Sequence, residues 1–309
     1  MTNIFIDGSA GTTGLRIFER LSSRTDINLI TLPDEIRKDV NARKDALHSA
    51  DIAFLCLPDA AAIEAVSLAS GSSVAIIDTS TAHRVDPGWT YGFPELQRGA
   101  KRKAIAESKR IANPGCHASG FVALVEPLVN AGLVDKDVRL TCTSLTGYSG
   151  GGKKMIAEYE DKNRDKLLDA PRMYGLTQQH KHLKEMKEVC GLEESPVFCP
   201  IVAPFYSGME VTVPLFKNQL KGNMSDVVSL YKEYYQEGLV SFSENADEAG
   251  FVSANAFSGR DDMQITVVGN DERILLVSRF DNLGKGASGA AIQNMNILLG
   301  ADEFAGLDV

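Results

Sequence analysis

Asn113-Pro114-Gly115-Cys116-His117 places one thiol just after a Pro-Gly turn and just before an apolar run, Ala118 to Val125. A turn that leads into such a run opens a helix. Cys116 then stands near the helix N-terminus, where unpaired N–H groups and the macrodipole favour negative charge. That setting raises the thiolate fraction, and a thiolate can attack an acyl carbon and hold it covalently. The commoner use of a free cysteine is as a small buried hydrophobe. The rest of the chain weighs against that use here.

Three further groups of residues could share chemistry with the thiol. Gly8-Ser9-Ala10-Gly11-Thr12-Thr13-Gly14 follows a short apolar strand, Asn3 to Asp7, and precedes Leu15, Phe18 and Leu21 at helical spacing. Strand, glycine-rich turn and helix is the arrangement that cradles a pyrophosphate. Its spacing is GxxGxxG rather than the commoner GxGxxG, and a tight turn without a ligand uses the same residues. His180 and His182 can act as thiolate partner and proton donor, or be solvated helix residues. Asp281 to Gly286 is a glycine-rich, lysine-containing turn into a C-terminal helix. A dinucleotide domain joined to a cysteine domain points to aldehyde or acyl redox chemistry, with the thiol carrying the carbon and the dinucleotide the hydride.

The elements that must position these groups fall into two halves. After the glycine turn come strands at Ile27–Leu32, Asp51–Leu57 and Val74–Asp78, with an Ala-rich helix at Asp59–Ser70. Continuously apolar strands alternating with helices mean a parallel sheet covered on both faces. An acidic residue at the end of the second strand would select the ribose 2′-hydroxyl of NAD. Pro33 occupies that place, with Asp34 and Glu35 beyond it, so that test leaves the 2′ position open. After Cys116 one helix runs to about Asn130, and the pattern then changes. Val138–Ser144 and Met209–Leu215 alternate with period two, and Gln264–Val268 and Arg273–Ser278 pair around Gly269 to Glu272, which implies a largely antiparallel sheet with one face covered. Ser225 to Gln236 reads as a helix on that sheet, and Gly286 to Leu299 returns to helix. The predicted fold is α/β: a doubly wound Rossmann-type nucleotide domain, residues 1–116 and 284–309, plus an α+β catalytic domain with a mainly antiparallel sheet, residues 117–283.

Composition narrows the function classes. The 309 residues are 44% hydrophobic and 24% charged, which suits a globular protein of about two domains. A net charge of -9 argues against sequence-independent nucleic-acid binding, and Lys101-Arg102-Lys103 reads as a short solvated loop. The five cysteines are odd in number and none has metal-ligand spacing, so no metal is expected. Cys56 and Cys142 read as packed strand residues. The chain starts on a strand without a signal peptide, and no apolar run approaches the roughly 20 residues that span a bilayer. A reducing cytoplasm is the expected location, with no membrane partner.

Read together, these stretches resemble the shorter class of N-acetyl-γ-glutamyl-phosphate reductase. The resemblance runs nearly end to end. It is carried by Gly8 to Gly14, Asp78-Thr79-Ser80-Thr81-Ala82-His83-Arg84, Asn113 to Cys116, Gly147-Tyr148-Ser149-Gly150-Gly151-Gly152-Lys153, His180-Lys181-His182-Leu183-Lys184-Glu185 and Asp281 to Gly286. Each motif alone is weak, and their joint order is specific. Aspartate-semialdehyde dehydrogenase shares the fold plan and is the nearest alternative.

The resemblance implies reduction of an acyl phosphate by NADPH through a cysteine thioester, in arginine biosynthesis. Cys116 matches the nucleophile. Gly8, Ser9, Gly11, Thr12, Thr13 and Gly14 match the cofactor loop, and Asn282, Lys285 and Gly286 a stretch near the nicotinamide end. Of the histidine pair, His180 is the one expected to face the thiol as acid/base, with His182 on the substrate side. Arg84 sits where related dehydrogenases place a phosphate-binding arginine, and its planar fork suits phosphate oxygens; the alternative is a surface ion pair with Asp86. Tyr148 and Ser149, in a flexible turn, could hydrogen-bond substrate. Tyr206-Ser207-Gly208 is a second hydroxyl-bearing turn, more readily an ordinary surface turn. The expected partners are a small acyl phosphate and further copies of the chain. Competing functions are a dinucleotide sensor without chemistry and a cysteine hydrolase or acyltransferase.

Overall fold

Buried β-branched and aromatic residues in short runs build the first sheet of this chain. A computed structural model describes residues 1–309, which divide into two units. One unit comprises Met1–Phe93, Lys101–Pro114 and Ala287–Asp308; the other comprises Pro94–Ala100 and Gly115–Gly286, with Val309.

In the first unit, β1 (Thr2–Asp7), α1 (Thr12–Leu21), β2 (Ile27–Ile30), α2 (Val40–Ser49), β3 (Ile52–Leu55), α3 (Asp59–Leu68) and β4 (Ala75–Asp78) alternate strictly. Then come β5 (Thr90–Tyr91), α4 (Ala100–Ala106) and β6 (Arg110–Ala112). The strands lie in the order β2-β1-β3-β4-β6-β5, every pair parallel. The two faces carry different clusters: Ile4, Ile6, Phe54 and Ile77 on one, Phe5, Ala53, Leu55 and Ile76 on the other. Period-two alternation between two buried faces is why these strands read as continuously apolar. Two local expectations change. Lys101 to Lys103 lie within α4, where Arg102 pairs with Glu303, rather than in a solvated loop. Cys56 lies one residue past β3, and burial pushes its thiol up to about 12.

The second unit begins with α5 (Cys116–Asn130), β7 (Thr141–Gly147) and α6 (Gly152–Glu160), then β8 (Arg172–Met173), α7 (His182–Cys190) and β9 (Val197–Ala203). It continues through β10 (Met209–Phe216), α8 (Met224–Tyr234), β11 (Val240–Phe242), β12 (Met263–Asn270) and β13 (Arg273–Phe280). The sheet order is β11-β12-β13-β10-β7-β9-β8. Four pairings are antiparallel, while β11/β12 and β7/β9 are parallel, so the sheet is mixed with an antiparallel majority. On β7 and β10 every second residue is buried, and α5 covers that face. A five-residue π turn, Gly284–Ser288, leads into α9 (Gly289–Leu299), whose Ala291, Ile292 and Met295 join the first unit's core. No helix is long and apolar enough to cross a membrane.

Candidate active site

Cys116 is the first residue of α5, directly after the N-cap Gly115, which has no side chain to satisfy the helix N–H groups. From Ile111 to Leu128 it is the one residue that is not buried. Cys116 is therefore the one partly accessible residue on an otherwise enclosed segment. Two glycines set its place. Gly120, one turn on, lets α5 close on the sheet: a Cβ there would lie 2.5 Å from Val211 and 2.9 Å from Phe280. Gly286 faces the nucleophile itself, and a Cβ there would lie 3.0 Å from that of Cys116. Behind the turn, buried Glu185 of α7 accepts the Gly115 N–H at 2.8 Å. Sequence reading gave Glu185 no role, although it lies three residues after His182.

Beside the thiol, three imidazoles meet. Ring centroids of His117 lie 5.7 Å from His180 and 5.6 Å from His182, and the latter two are 4.8 Å apart. His180 is half-buried, with its Nδ1 accepting the His182 N–H at 3.2 Å; His182 is buried at the start of α7. His117 was missed from sequence, where it is simply the residue after the nucleophile. Its Nδ1 is 2.7 Å from Ser144 Oγ and its Nε2 is 2.6 Å from the Tyr174 hydroxyl. Burial, with a smaller contribution from His180, pushes the His117 imidazole down to about 3. It therefore stays neutral, and one of its nitrogens donates while the other accepts. Burial and the charge at Cys116 both push the Tyr174 hydroxyl up, so the phenol stays protonated within electrostatic reach of the sulfur. No grouping of His, Cys, Asp and Glu offers a metal site.

Several sequence-assigned residues have other work. Lys285 is buried, and its ammonium lies 2.9 and 2.8 Å from the two carboxylate oxygens of buried Glu95. A lysine enclosed in this way balances the buried Glu95 carboxylate. Asn282 donates to Ser149 Oγ at 2.9 Å and accepts the Gly208 N–H at 3.0 Å, so its carboxamide ties two turns together. Ser149 is fully buried in that bond. The stretch expected as a flexible turn is a 3-10 helix, Tyr148–Gly151, running into α6. Tyr148 stacks on Tyr159 at 4.8 Å. Tyr206 is exposed at 49%, and Ser207 bonds Ser258 at 2.5 Å, as an ordinary turn would.

In the first unit, the glycine loop fits a pyrophosphate by its shape. Gly8 has φ +90°, and a Cβ on it would lie 2.3 Å from the Cys56 carbonyl oxygen. A Cβ on Gly14 would lie 2.4 Å from the Gly8 carbonyl oxygen. No side chain fits at either point, so backbone N–H groups line the turn. The α1 N-cap, Gly11, offers no side-chain hydrogen bond, which leaves that helix end to a ligand. Ser9, Thr12 and Thr13 are half-buried around it. A pocket of about 170 Å³ adjoins the loop, with Gly8, Ser9, Leu32, Arg37, Lys38 and Leu57 in its wall. At the end of β4, Asp78 accepts from Ser80 and lies 2.6 Å from His83 Nδ1, and His83 stacks on Trp89 at 4.1 Å. Arg84 follows, donating to the Asn113 and Thr79 carbonyl oxygens at 3.0 Å each.

Comparison with known proteins follows the same division. Residues 3–104 match the family described as semialdehyde dehydrogenase, NAD binding domain, and residues 116–282 the family described as semialdehyde dehydrogenase, dimerisation domain. A relative from Brucella ovis, N-acetyl-gamma-glutamyl-phosphate reductase, is 46% identical over 306 residues, covering 96% of this chain and 98% of that protein. Among solved structures, aspartate semialdehyde dehydrogenase II from Vibrio cholerae has a TM-score of 0.72 at 17% identity, over 97% of this chain and 98% of that one. Aspartate semialdehyde dehydrogenase from Candida albicans, solved with NADP, scores 0.68 at 16% identity, over 97% and 98% of the two chains. At such identities these structures speak to fold alone.

Proposed function

The chain belongs to the N-acetyl-gamma-glutamyl-phosphate reductase family, and on that premise we propose that it reduces N-acetyl-γ-glutamyl phosphate to N-acetylglutamate 5-semialdehyde and phosphate, a step of arginine biosynthesis. The observation that carries the reading is Cys116: solvent-reachable on a buried segment, at the first position of α5, beside a cluster of three histidines.

The nucleophile's work follows from its setting. The helix N-terminus favours the thiolate. Its sulfur attacks the acyl carbon, a C–S bond forms, and the C–O bond to phosphate breaks with the electron pair leaving on phosphate. Gly8, Ser9, Gly11, Thr12, Thr13 and Gly14 would hold NADPH, which when bound would supply the hydride needed to bring the thioester carbon to the aldehyde level. His180, with His182 behind it, gives a proton to the carbonyl oxygen, producing a thiohemiacetal. The same imidazole takes the hydroxyl proton back as the C–S bond breaks, which releases the semialdehyde and restores the thiolate. His117, neutral and bonded on both nitrogens, is poorly suited to that exchange. It orients Tyr174 instead. Arg84 is the cation proposed for the substrate phosphate, a role that rests on the family pattern. A nicotinamide dinucleotide is supported by the matched NAD binding domain, and NADP as that dinucleotide rests on the family pattern.

The open face of the second unit's sheet carries Leu145, Cys199, Ile201 and Pro214, all partly or fully exposed. We propose that a second copy of the chain covers it. The five cysteines are all free thiols, in keeping with a cytoplasmic protein.

Phosphate-dependent oxidation of N-acetylglutamate semialdehyde, followed as NADPH absorbance, tests the reaction in reverse. The acetylated semialdehyde is expected to react and aspartate semialdehyde to fail. The opposite preference would move the chain to the aspartate-semialdehyde dehydrogenase reaction. Within the histidine pair, His180→Asn is expected to lower kcat about 100-fold and His182→Asn less. The reverse order would hand the proton exchange to His182.

A further inference from the structure

We propose that Arg37 and Lys38 select NADPH over NADH by holding the 2′-phosphate of the adenosine ribose in the pocket beside the glycine loop. The inference rests on the reading of the chain as a dinucleotide-dependent reductase, and it concerns a choice that the strand-end residues alone leave open.

In a doubly wound sheet the adenosine ribose lies by the end of the second strand, where an acidic residue binds the 2′-hydroxyl and repels a phosphate. Here β2 ends at Ile30, and the chain continues through Thr31 and Leu32 to Pro33 with no carboxylate. Leu32 lines the pocket of about 170 Å³ instead, across from Gly8 and Ser9. The cations come from the segment after Pro33. The Pro33 carbonyl oxygen accepts the N–H groups of Ile36 and Arg37 at 3.1 and 2.9 Å, and the Asp39 N–H bonds the Ile36 carbonyl at 2.8 Å. Asp39 then caps α2 through the Ala42 N–H at 2.8 Å. This tight turn sets Arg37 and Lys38, both exposed, in the pocket wall.

One carboxylate lines the same pocket and one pairs with Arg37, and neither blocks a phosphate. Asp7 lines the same pocket but is buried, with Oδ2 on Arg43 Nε at 3.0 Å. Asp34 lies 3.3 Å from Arg37 Nε, with the two side chains 83% and 43% exposed. A solvent-screened pair of that kind is weak. A dianionic phosphate can take both prongs of the guanidinium fork and displace it, while Lys38 adds a point charge.

Calorimetric titration of the full chain with NADPH, NADH, adenosine 2′,5′-bisphosphate and 5′-AMP tests the assignment by binding alone. The unchanged protein should prefer each 2′-phosphorylated member of its pair. Arg37→Ala with Lys38→Ala should weaken NADPH and the bisphosphate about 100-fold, tenfold for each charge-assisted contact. NADH and 5′-AMP should change less than about twofold. Asp34→Asn should leave NADPH binding equal or tighter. A double variant that keeps its NADPH preference overturns the assignment and leaves the reductase reading standing. An unchanged protein that binds no dinucleotide overturns the reductase reading and this inference with it.

Discussion

Cys116→Ser is expected to lose turnover on the order of 10⁴-fold while keeping the fold and NADPH affinity. The helix N-terminus can help ionise a thiol, whereas a hydroxyl lies far above the range that one helix end can shift. The loss should therefore fall on kcat, because the variant still binds what it cannot acylate. Stability should change by less than about 1 kcal/mol, since serine keeps the shape of the side chain at a partly exposed position. Mass spectrometry of the unchanged protein mixed with acyl phosphate, without NADPH, should show one acyl group per chain, absent in the variant. A serine variant with more than about a hundredth of the original rate would refute covalent catalysis.

Lys285→Met is expected to destabilise the second unit by about 3–5 kcal/mol. The Lys285 and Glu95 side chains are 0% and 1% exposed, and Glu95 also accepts the Leu239 N–H at 2.9 Å. Removing the ammonium leaves a carboxylate enclosed with no counter-charge, and the desolvation penalty of that group then stands uncompensated. Exposed pairs do not behave this way. Lys217–Glu272, at 61% and 67% exposure, contributes at most a fraction of what the buried pair does. Urea unfolding should show a lowered midpoint for Lys285→Met, and adding Glu95→Gln should recover much of it because the orphaned charge is gone. If the single variant unfolds within about 1 kcal/mol of the original, the pair is not the anchor described here. Because Lys285 precedes Gly286, which abuts Cys116, a slackened turn should also lower activity in proportion to the stability lost.

What could be read from the sequence was local, and what could not was distant. The glycine loop and Cys116 announce themselves because each needs only its own neighbours: a strand before, a helix after, a turn between. The alternation of β7 and β10 is visible for the same reason, since period two is written into consecutive residues. Lys285 shows the opposite case. A lysine in a glycine-rich turn looks the same whether it meets a ligand or a carboxylate, and its carboxylate is 190 positions away. His117 and Glu185 escaped notice because their roles depend on Ser144, Tyr174 and Gly115, which chain folding alone brings near. Asn282 and Ser149 stood out in the sequence, but the hydrogen bond between them, 133 positions apart, did not. Pro33 told nothing of the 2′ position; Leu32, Arg37 and Lys38 became informative once the pocket gave them a common wall.

The discontinuous make-up of the first unit carries a consequence for how the protein is born. Ile4 and Ile6 share their core with Ala291, Ile292 and Met295, which are translated well after them. The nucleotide-binding half is begun first and finished last. During translation it must wait, with one face of its sheet covered by α1 and α4 but not yet by α9, while the intervening polypeptide is made. A messenger truncated before α9 would thus leave the nucleotide-binding unit short of part of its core, a species for chaperones and proteases rather than a slow enzyme.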